Sequence, residues 1–593
     1  MRFCLTVAFS LMASVGLAQQ TADAVQPEAA TGGTVVAGSE AVAASLAAKA
    51  AGAPVSAQNY MVAAANPLAV QAGVKILSQG GTAADAMVAV QAVLGLVEPQ
   101  SSGLGGGAFM IWYDAATQSL VTLDGRETAP LAATPTLFQD ENGEPMGFFD
   151  AVVGGRSVGT PGTPALMGEM HKRWGGMPWP LLFEDAIALA EGGFEVSPRL
   201  AALVERDAER LSRHTLTAQY FLPGGTPIAE GSTLINTDYA DVLRVLAEEG
   251  SDVFYHGRIA QNIEATVNHL NDNPGVLTQR DMASYRVKAR TPVCVLYRQH
   301  DVCGMGPPSS GALTVGQILS MLDNYDLAAL GPESAESWRL IGDASRLAFA
   351  DRGRFMADSD FVAMPTKGLV DRTYLANRAT VLNGEAALEE VAPGNPGFDH
   401  AMNWVDDESL ELPSTSHISI VDGYGNVASM TTTIENAFGS RLMVHGFLLN
   451  NELTDFSFRT HRDGVPIANA LAPGKRPRSS MAPTIVLKDG VPVLAIGSPG
   501  GSRIIGYVAK SIIAHIDWGM NVQEAVSLPH AVNRFGTFDV EEGTSAADLA
   551  PDLEAMGFEV NVRSLNSGLH AIAIGTELQG GADPRREGIA LGD

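Results

Sequence analysis

Basic residues are scarce in this sequence. Its 593 residues contain 38 Lys and Arg against 66 Asp and Glu, which gives a formal net charge of −28 at pH 7. No run of Lys or Arg concentrates positive charge at any point along the chain. Because nucleic acids and anionic membranes are bound through concentrated positive charge, the composition argues against both as partners. A small anionic or zwitterionic ligand is still allowed, since one buried Arg can hold a carboxylate whatever the net charge.

Cysteine is also rare, with three in the whole chain, the first of them at position 4. Cys294 and Cys303 flank a stretch that would fold back about Arg298-Gln299 and bring them opposite one another. That placement suits a disulfide in an oxidising compartment. Two small buried apolar side chains are an equally good interpretation, and spacing alone does not decide between them.

Long apolar runs are absent beyond the N-terminus. There, Arg2 precedes an apolar stretch from Phe3 to Val15 and a small-residue exit, Gly16-Leu17-Ala18. These are the parts of a secretory signal, and the stretch is too short to span a bilayer. The sequence therefore predicts a signal peptide over residues 1–18, a periplasmic or secreted protein, and no membrane span in the mature chain.

The rest of the chain falls into three segments of different composition and pattern. Residues 19–57 are rich in Ala, Gly, Thr and Val and are predicted to form a low-complexity leader, with folded structure from about Tyr60. Up to about residue 400, strand-like pieces alternate with helical patterns, and after residue 412 short β-rich segments dominate. No repeat of 20–50 residues is visible. The pattern predicts an α+β fold with helical layers around an antiparallel β core.

One predicted hairpin places two threonines face to face. The turn-forming run 422–426 joins two strands, and folding symmetrically about Tyr424 pairs Thr415 with Thr433, because each lies nine residues away. Opposed side chains on paired strands lie about 5 Å apart at Cβ, close enough for a hydrogen bond between hydroxyls. By frequency alone, such a pair more often only stabilises a sheet.

Other segments supply groups that would complete a site around these threonines. A glycine-rich turn with Gly500 and Gly501 follows a strand and precedes a helix, so its N–H groups can converge on a developing oxyanion. Ser479 and Ser480 offer adjacent hydroxyls, and Arg126 offers a fork for a carboxylate. The run 450–455 offers carboxylates for an ammonium group. Taken alone, each of these groups is more often an ordinary surface or turn residue than part of a site.

Together these segments resemble the γ-glutamyltransferase (γ-glutamyltranspeptidase, glutathione hydrolase) family. The resemblance covers about residue 60 to the end of the chain. It is carried by Gly80 to Ala86, Gly103 to Gly107, Asp124 to Pro130, Pro307 to Gly311, the Thr-x-His start at Thr415, Leu449 to Asn451, Ser479 to Met481, Gly497 to Arg503, and Asp583 to Arg585.

The resemblance implies an N-terminal-nucleophile hydrolase with an αββα sandwich, made as one precursor that cuts itself between Ser414 and Thr415. The products would be a large subunit, 58–414, and a small catalytic subunit, 415–593, held together as a heterodimer. The freed amine of Thr415 would activate its own hydroxyl. The implied substrate is a γ-glutamyl compound such as glutathione, whose acyl group passes to water or to an amino acid or peptide acceptor. No cofactor is implied.

Residue roles carried over by motif follow the same resemblance. Thr415 would be the nucleophile and Thr433 its hydrogen-bond partner, with Gly500 and Gly501 as oxyanion donors. Arg126, Ser479 and Ser480 would hold the substrate α-carboxylate. Glu452 and Asp455 would hold the α-ammonium. His417, on the same strand face as Thr415, would pack against the site or support it.

Two departures from the family pattern bear on the substrate. Where many members have Asn, this chain has Glu435, which adds negative charge near the predicted ammonium site. The segment between Asp455 and Ser479 is also shorter than in members with a full lid over the pocket. Relatives without that lid include cephalosporin (glutaryl) acylase-like enzymes, so a glutaryl amidase is an alternative.

A different class of protein must be weighed as well. A non-catalytic periplasmic amino-acid-binding protein would use the same Arg, Asp and Ser contacts to hold an α-amino acid. It would need neither Thr415 at a strand start nor a cut after Ser414. An uncut pseudoenzyme would likewise show one band on a gel and no turnover.

Overall fold

The computed structural model describes residues 38–400, 403–407 and 409–593. Two seven-stranded sheets form its centre. Their strands are β1 (Val55–Ala57), β2 (Met61–Ala64), β3 (Gly107–Asp114), β4 (Ser119–Gly125), β5 (Lys288–Arg290), β6 (Val293–Tyr297), β7 (His300–Gly304), β8 (Ser416–Val421), β9 (Val427–Thr433), β10 (Thr484–Lys488), β11 (Val491–Gly497), β12 (His570–Ile574), β13 (Leu578–Ala582) and β14 (Ile589–Gly592).

The predicted hairpin lies in the middle of one sheet, whose order is β14-β2-β8-β9-β3-β4-β5. The other sheet has the order β1-β13-β12-β11-β10-β7-β6. Strands β8 and β9 are antiparallel, with Ser416 opposite Thr432 and Val421 opposite Val427. Extending this register by one residue sets Thr415 against Thr433, as the symmetric fold about Tyr424 predicted.

Helices cover both outer faces of the stacked sheets. They span Glu40–Ala50, Pro67–Ser78, Ala83–Val97, Phe148–Val152, Thr163–Trp174, Glu184–Gly192, Pro198–Leu211, Thr215–Phe221, Thr237–Glu249, Gly257–Asn268, Gln279–Ser284, Gly311–Leu322, Leu327–Leu330, Ala335–Phe355, Thr366–Leu369, Arg372–Ala379, Ile504–Ile516, Val522–Ser527 and Ala550–Ala555. Three small sheets have two strands each: Phe194–Glu195 with Thr233–Leu234, Met443–Val444 with Phe447–Leu448, and His461–Arg462 with Val465–Pro466. A further sheet has three strands: Ala531–Asn533, Thr537–Glu541 and Glu559–Arg563.

Three apolar clusters hold these layers together. One joins the hairpin sheet to helices such as Pro67–Ser78 and Ala83–Val97. A second joins the other sheet to Gly311–Leu322, Ala335–Phe355 and Ile504–Ile516. The third lies between the sheets and contains side chains from both. Because each sheet buries one face on its partner and the other on helices, the architecture is the predicted αββα sandwich.

Local signals in the sequence set several helix ends. Asn66 accepts a hydrogen bond from the Leu68 N–H at 3.0 Å, and the helix starts at Pro67. Thr82 and Asp85 form a capping box at the next helix, which ends at Val97.

Among the described residues, no helix has the length and apolar character needed to cross a membrane.

The predicted leader was wrong for its second half. Residues 40–50 form a helix capped by Ser39, and 55–57 form strand β1. The helix docks through Ser45, whose hydroxyl donates to the Ala590 carbonyl at 2.8 Å. Ala590 lies 545 residues after Ser45, so the composition of residues 19–57 could not indicate this contact. The predicted signal peptide and the first part of the leader, 1–37, lie outside the described residues.

The two cysteines are bonded. Cys294 on β6 lies directly opposite Cys303 on β7, and a disulfide joins them. The hairpin turns at Arg298 and Gln299, both with positive φ. The structure thus decides for the disulfide over two separate buried thiols.

Candidate active site

Thr415 lies immediately before strand β8, buried at the mouth of a small pocket. Its Oγ1 is 3.0 Å from Thr433 Oγ1. Its φ is 85°, a left-handed conformation that costs a β-branched residue about 1–3 kcal/mol. The strain is therefore stored at the residue whose preceding peptide bond is the predicted cleavage point. The chain is continuous through the bond between Ser414 and Thr415.

Further contacts hold the threonine pair in place. Thr433 Oγ1 accepts the Glu435 N–H at 2.8 Å, which leaves its own hydrogen free to be shared with Thr415. Arg586 Nη1 donates to the Thr415 carbonyl at 3.2 Å. Ser414 Oγ donates to the Gln100 carbonyl at 3.0 Å. Both sides of the predicted cleavage point are thus anchored to the surrounding fold.

A small pocket that is partly open to solvent lies beside Thr415. It brings together nine of the predicted site residues, namely Arg126, Thr415, Thr433, Glu435, Glu452, Asp455, Ser479, Ser480 and Gly501. Gly500 and Ser414 are not among the lining residues. The segments that carry these residues are scattered from position 126 to position 501, and only the fold assembles them.

The glycine turn is covered by the segment that precedes the cleavage point. Gly500 and Gly501 both have positive φ, 134° and 55°. A Cβ on Gly501 would come within 2.9 Å of the carbonyl oxygens of Glu411 and Leu412. Glycine is therefore required there on two grounds, conformation and space. In the uncut chain this segment occupies the space beside the predicted oxyanion donors.

Arg126 is fully buried and already engaged by two carboxylates. Its Nη1 bonds Glu452 and its Nη2 bonds Asp455. Its Nε donates to the Pro477 carbonyl at 3.2 Å. The predicted ammonium-binding acids and the predicted carboxylate-binding Arg thus form one network in the pocket. Arg126 lies at the predicted site, but with its two terminal nitrogens turned toward protein acids.

The network contains more acid than one Arg can neutralise. Burial raises the pKa of Glu127 to about 7, against the lowering effect of Arg126. Burial, reinforced by the charge of Asp455, also raises the pKa of Glu435 well above its usual range. The pKa values of Glu452 and Asp455 are raised in the same direction, again chiefly by burial. Four buried carboxyl groups around one guanidinium favour a ligand that brings a positive charge.

The two serines make different contacts. Ser479 Oγ accepts the Met481 N–H at 3.1 Å, a local turn contact. Ser480 Oγ donates to the Glu411 carboxylate and accepts from Arg352 Nη2 at 2.8 Å. Glu411 and Arg352 were missed by the sequence reasoning. Neither belongs to a recognisable motif, and they meet only through the fold.

His417 has a supporting position, as strand alternation predicted. It is fully buried, with Nδ1 2.9 Å from Thr431 Oγ1 and Nε2 3.0 Å from Ser419 Oγ. Burial and the nearby His570 lower its pKa well below the usual value. A neutral imidazole bonded on both sides packs the strand beneath Thr415.

A family model described as Gamma-glutamyltranspeptidase matches residues 69–593. The chain belongs to the γ-glutamyltranspeptidase family. The resemblance predicted from the motifs is thereby confirmed over nearly all of the folded chain.

Curated relatives and solved structures agree with this assignment. A glutathione hydrolase proenzyme of Bacillus subtilis is 37% identical over 546 residues, covering 90% of this chain and 91% of that protein. A glutathione hydrolase proenzyme of Escherichia coli is 36% identical, covering 90% of this chain and 91% of its own length. The crystal structure of a cephalosporin acylase from Bacillus halodurans superimposes with a TM-score of 0.80 at 27% identity, covering 91% of this chain and 97% of that one. The predicted fold class is confirmed.

Proposed function

We propose that this chain is a self-cleaving precursor that becomes a γ-glutamyltransferase and glutathione hydrolase. The observation that carries the proposal is the strained Thr415, paired at 3.0 Å with Thr433 and placed at the start of a buried strand in an acid-lined pocket. The family supplies the reaction class. A non-catalytic amino-acid-binding protein would need neither feature.

Self-cleavage follows from the position of Thr415. Its Oγ1 attacks the Ser414 carbonyl carbon, the peptide C–N bond breaks, and an ester to the Thr415 side chain replaces it. Water then hydrolyses the ester, leaving a carboxylate on Ser414 and a free amine on Thr415. The products are a large subunit that ends at Ser414 and a small subunit, 415–593, which share both central sheets and therefore stay associated.

The mature reaction repeats this chemistry on a substrate. The Thr415 amine takes the proton of its own hydroxyl, and Oγ1 attacks the γ-glutamyl carbonyl while Thr433 holds it in place. The amine of the substrate leaves with a proton, and water or an acceptor amine then takes the acyl group from the ester. The Gly500 and Gly501 N–H groups would stabilise the oxyanion in both steps.

The direct test is to sequence the N-termini of the purified protein. Two chains are expected, one beginning Thr-Ser-His-Ile at Thr415 and one beginning after the predicted signal peptide at residue 18. The second start would also support export to the periplasm or medium, which the Cys294–Cys303 disulfide favours. A single uncut chain would remove the basis of the proposal.

Glutaryl or cephalosporin amides form a second candidate substrate class, favoured by the likeness to the acylase structure. The charge of the pocket argues for the γ-glutamyl group. A glutaryl group lacks the ammonium that we propose Glu435, Glu452 and Asp455 bind, so it would leave their burial uncompensated. We therefore expect the wild-type enzyme to prefer γ-glutamyl 4-nitroanilide to glutaryl 4-nitroanilide.

Glu435→Gln is expected to weaken that preference. Losing one charged partner of the ammonium should lower kcat/KM for the γ-glutamyl anilide by about 10- to 100-fold, while the glutaryl anilide is unaffected or improved. In the wild type, donor affinity should rise with pH only well above the ordinary carboxyl range, because burial raises the pKa of Glu435 and an ionised carboxylate is needed to bind the ammonium. The variant should show a shallower rise.

Glu390→Gln is the matched control, since Glu390 is exposed on the surface. It should leave both substrates and both pH profiles unchanged. Equal losses on the two anilides in Glu435→Gln would mean that Glu435 supports the structure of the pocket and does not select the ammonium.

A further inference from the structure

The helix Glu40–Ala50 is tied by a lysine to the other end of the chain. Lys49 Nζ donates to the carbonyl oxygens of Arg586 at 3.0 Å and Gly588 at 2.7 Å. One ammonium group therefore links two points of a single backbone segment. The helix lies ahead of residues 69–593, which the family model matches, so membership of the family assigns it no role.

Other contacts seat the helix so that its lysine reaches these carbonyls. Val42, Ser45 and Lys49 are spaced by three and four residues, which puts them on one face of the helix. Val42 is buried in the apolar cluster of the hairpin sheet, and the Ser45 hydroxyl donates to the Ala590 carbonyl at 2.8 Å. The ends of a folded chain are poorly ordered unless contacts of this kind tie them down. The helix is thus a fixed support for the ammonium.

The segment that Lys49 holds also contacts the predicted nucleophile. Arg586 Nη1 donates to the Thr415 carbonyl at 3.2 Å. The stem of Arg586 lies against Gly568, where an added Cβ would come within 2.9 Å of Arg586 Cδ and 2.7 Å of Pro499 Cγ. Pro499 is the residue before the predicted oxyanion turn. A shift of the Arg586 backbone would therefore disturb both the Thr415 carbonyl and that turn.

Acidic groups beside the ammonium favour its charged form. Burial lowers the pKa of Lys49 to about 8, against the raising effect of Asp583 and Glu587. His570 is also close, and burial, reinforced by the charges of Lys49 and Arg586, lowers its pKa to about 3 and keeps the imidazole neutral. Below about pH 8 Lys49 donates as a cation, and hydrogen bonds from a charged donor are roughly twice as strong as neutral ones.

We propose that Lys49 is a positioning residue for the reaction of Thr415, which it supports by holding the backbone of Arg586. The inference rests on the proposed function and extends it to the N-terminal helix. Neither Lys49 nor Arg586 lines the pocket. The loss of the ammonium should therefore slow the chemistry at Thr415 and leave substrate binding unchanged.

Lys49→Met removes the ammonium and keeps an apolar stem. Self-cleavage, followed on gels after cell-free synthesis, and kcat for γ-glutamyl 4-nitroanilide should each fall about tenfold, while KM stays within about twofold. Lys75→Met is the matched control, because Lys75 is exposed and pairs with Asp185 at the surface. An unchanged kcat in Lys49→Met, a change in KM alone, or an equal loss in Lys75→Met would overturn the proposal.

Lys49→Arg restores a cation at the same position and should recover most of the lost kcat. In the wild type, kcat should decline as the pH rises through about 8, because the ammonium then loses its charge. The guanidinium stays charged over this range, so the decline should be absent from Lys49→Arg. The same decline in both proteins would count against a role for the charge of Lys49 and overturn the proposal.

Hydrogen exchange measures the held segment without any need for catalysis. In uncut Thr415→Ala, adding Lys49→Met should speed exchange of the amides of residues 585–588 at least about tenfold and leave those of strand β9 unchanged. Unchanged exchange at 585–588 would overturn the proposal, and so would equal acceleration in β9, because Lys49 would then stabilise the whole fold. If the wild type is neither cut nor active, the proposed function fails, and the exchange rates still decide whether Lys49 holds the segment.

Discussion

Thr415→Ala is expected to remain a single uncut chain without γ-glutamyl turnover. In the proposed mechanism the hydroxyl that attacks the Ser414 carbonyl is the same hydroxyl that attacks the substrate, so its removal stops both reactions. The rate should fall by about 10³-fold or more. Gel electrophoresis, N-terminal sequencing and release of 4-nitroaniline from the γ-glutamyl anilide measure the two effects separately.

Thr415→Ser is the matched control, because it retains the hydroxyl and loses only a methyl group. It should be cut and active, though more slowly, since the methyl no longer restricts the side-chain rotamer. Normal cleavage or normal turnover by the alanine variant would contradict the assignment of Thr415 as nucleophile.

Arg126→Gln is expected to have the second largest effect. Removing this guanidinium leaves Glu452 and Asp455 buried without a cationic partner, which should destabilise the fold by roughly 3–5 kcal/mol. The loss should be greater at about pH 8 than at about pH 5, because the remaining carboxyls can take up protons at the lower pH. Urea unfolding at the two pH values measures it. Turnover should be lost as well, since the acids that face the ammonium are no longer held.

The double variant Arg126→Gln/Glu452→Gln separates the two roles of Arg126. Removing one carboxylate together with the guanidinium should recover part of the stability, because less buried charge is left uncompensated. Activity should stay low. If Arg126→Gln unfolds at the same urea concentration as the wild type at both pH values, the buried network does not stabilise the fold.

Local signals predicted the elements that carry the nucleophile. A turn of Asp, Gly and Asn between two β-rich runs predicted the hairpin. Thr415 and Thr433 lie the same number of residues from Tyr424, which predicted that they face one another. The caps at Asn66 and Thr82 likewise act over two or three residues. Such features depend on neighbours in the sequence, so they can be recognised from it.

The sequence did not predict the contacts that join distant segments. The helix at 40–50 has little patterning of its own and is fixed by strand β14 at the other end of the chain. Glu411 and Arg352 lie 59 residues apart and carry no motif. Arg126 was expected to face a substrate carboxylate, whereas the fold pairs it with Glu452 and Asp455 of the same pocket.

By itself the sequence determined the family and the hairpin, and it predicted that Thr415 faces Thr433. Only the tertiary structure decided that Glu411 lines the pocket beside Thr415, and that four buried acids lie around Arg126. The physical reason is the range of the forces involved. Caps and turns are set by hydrogen bonds within a few residues, whereas buried charges are balanced by whichever partners the packed layers bring within a few ångströms.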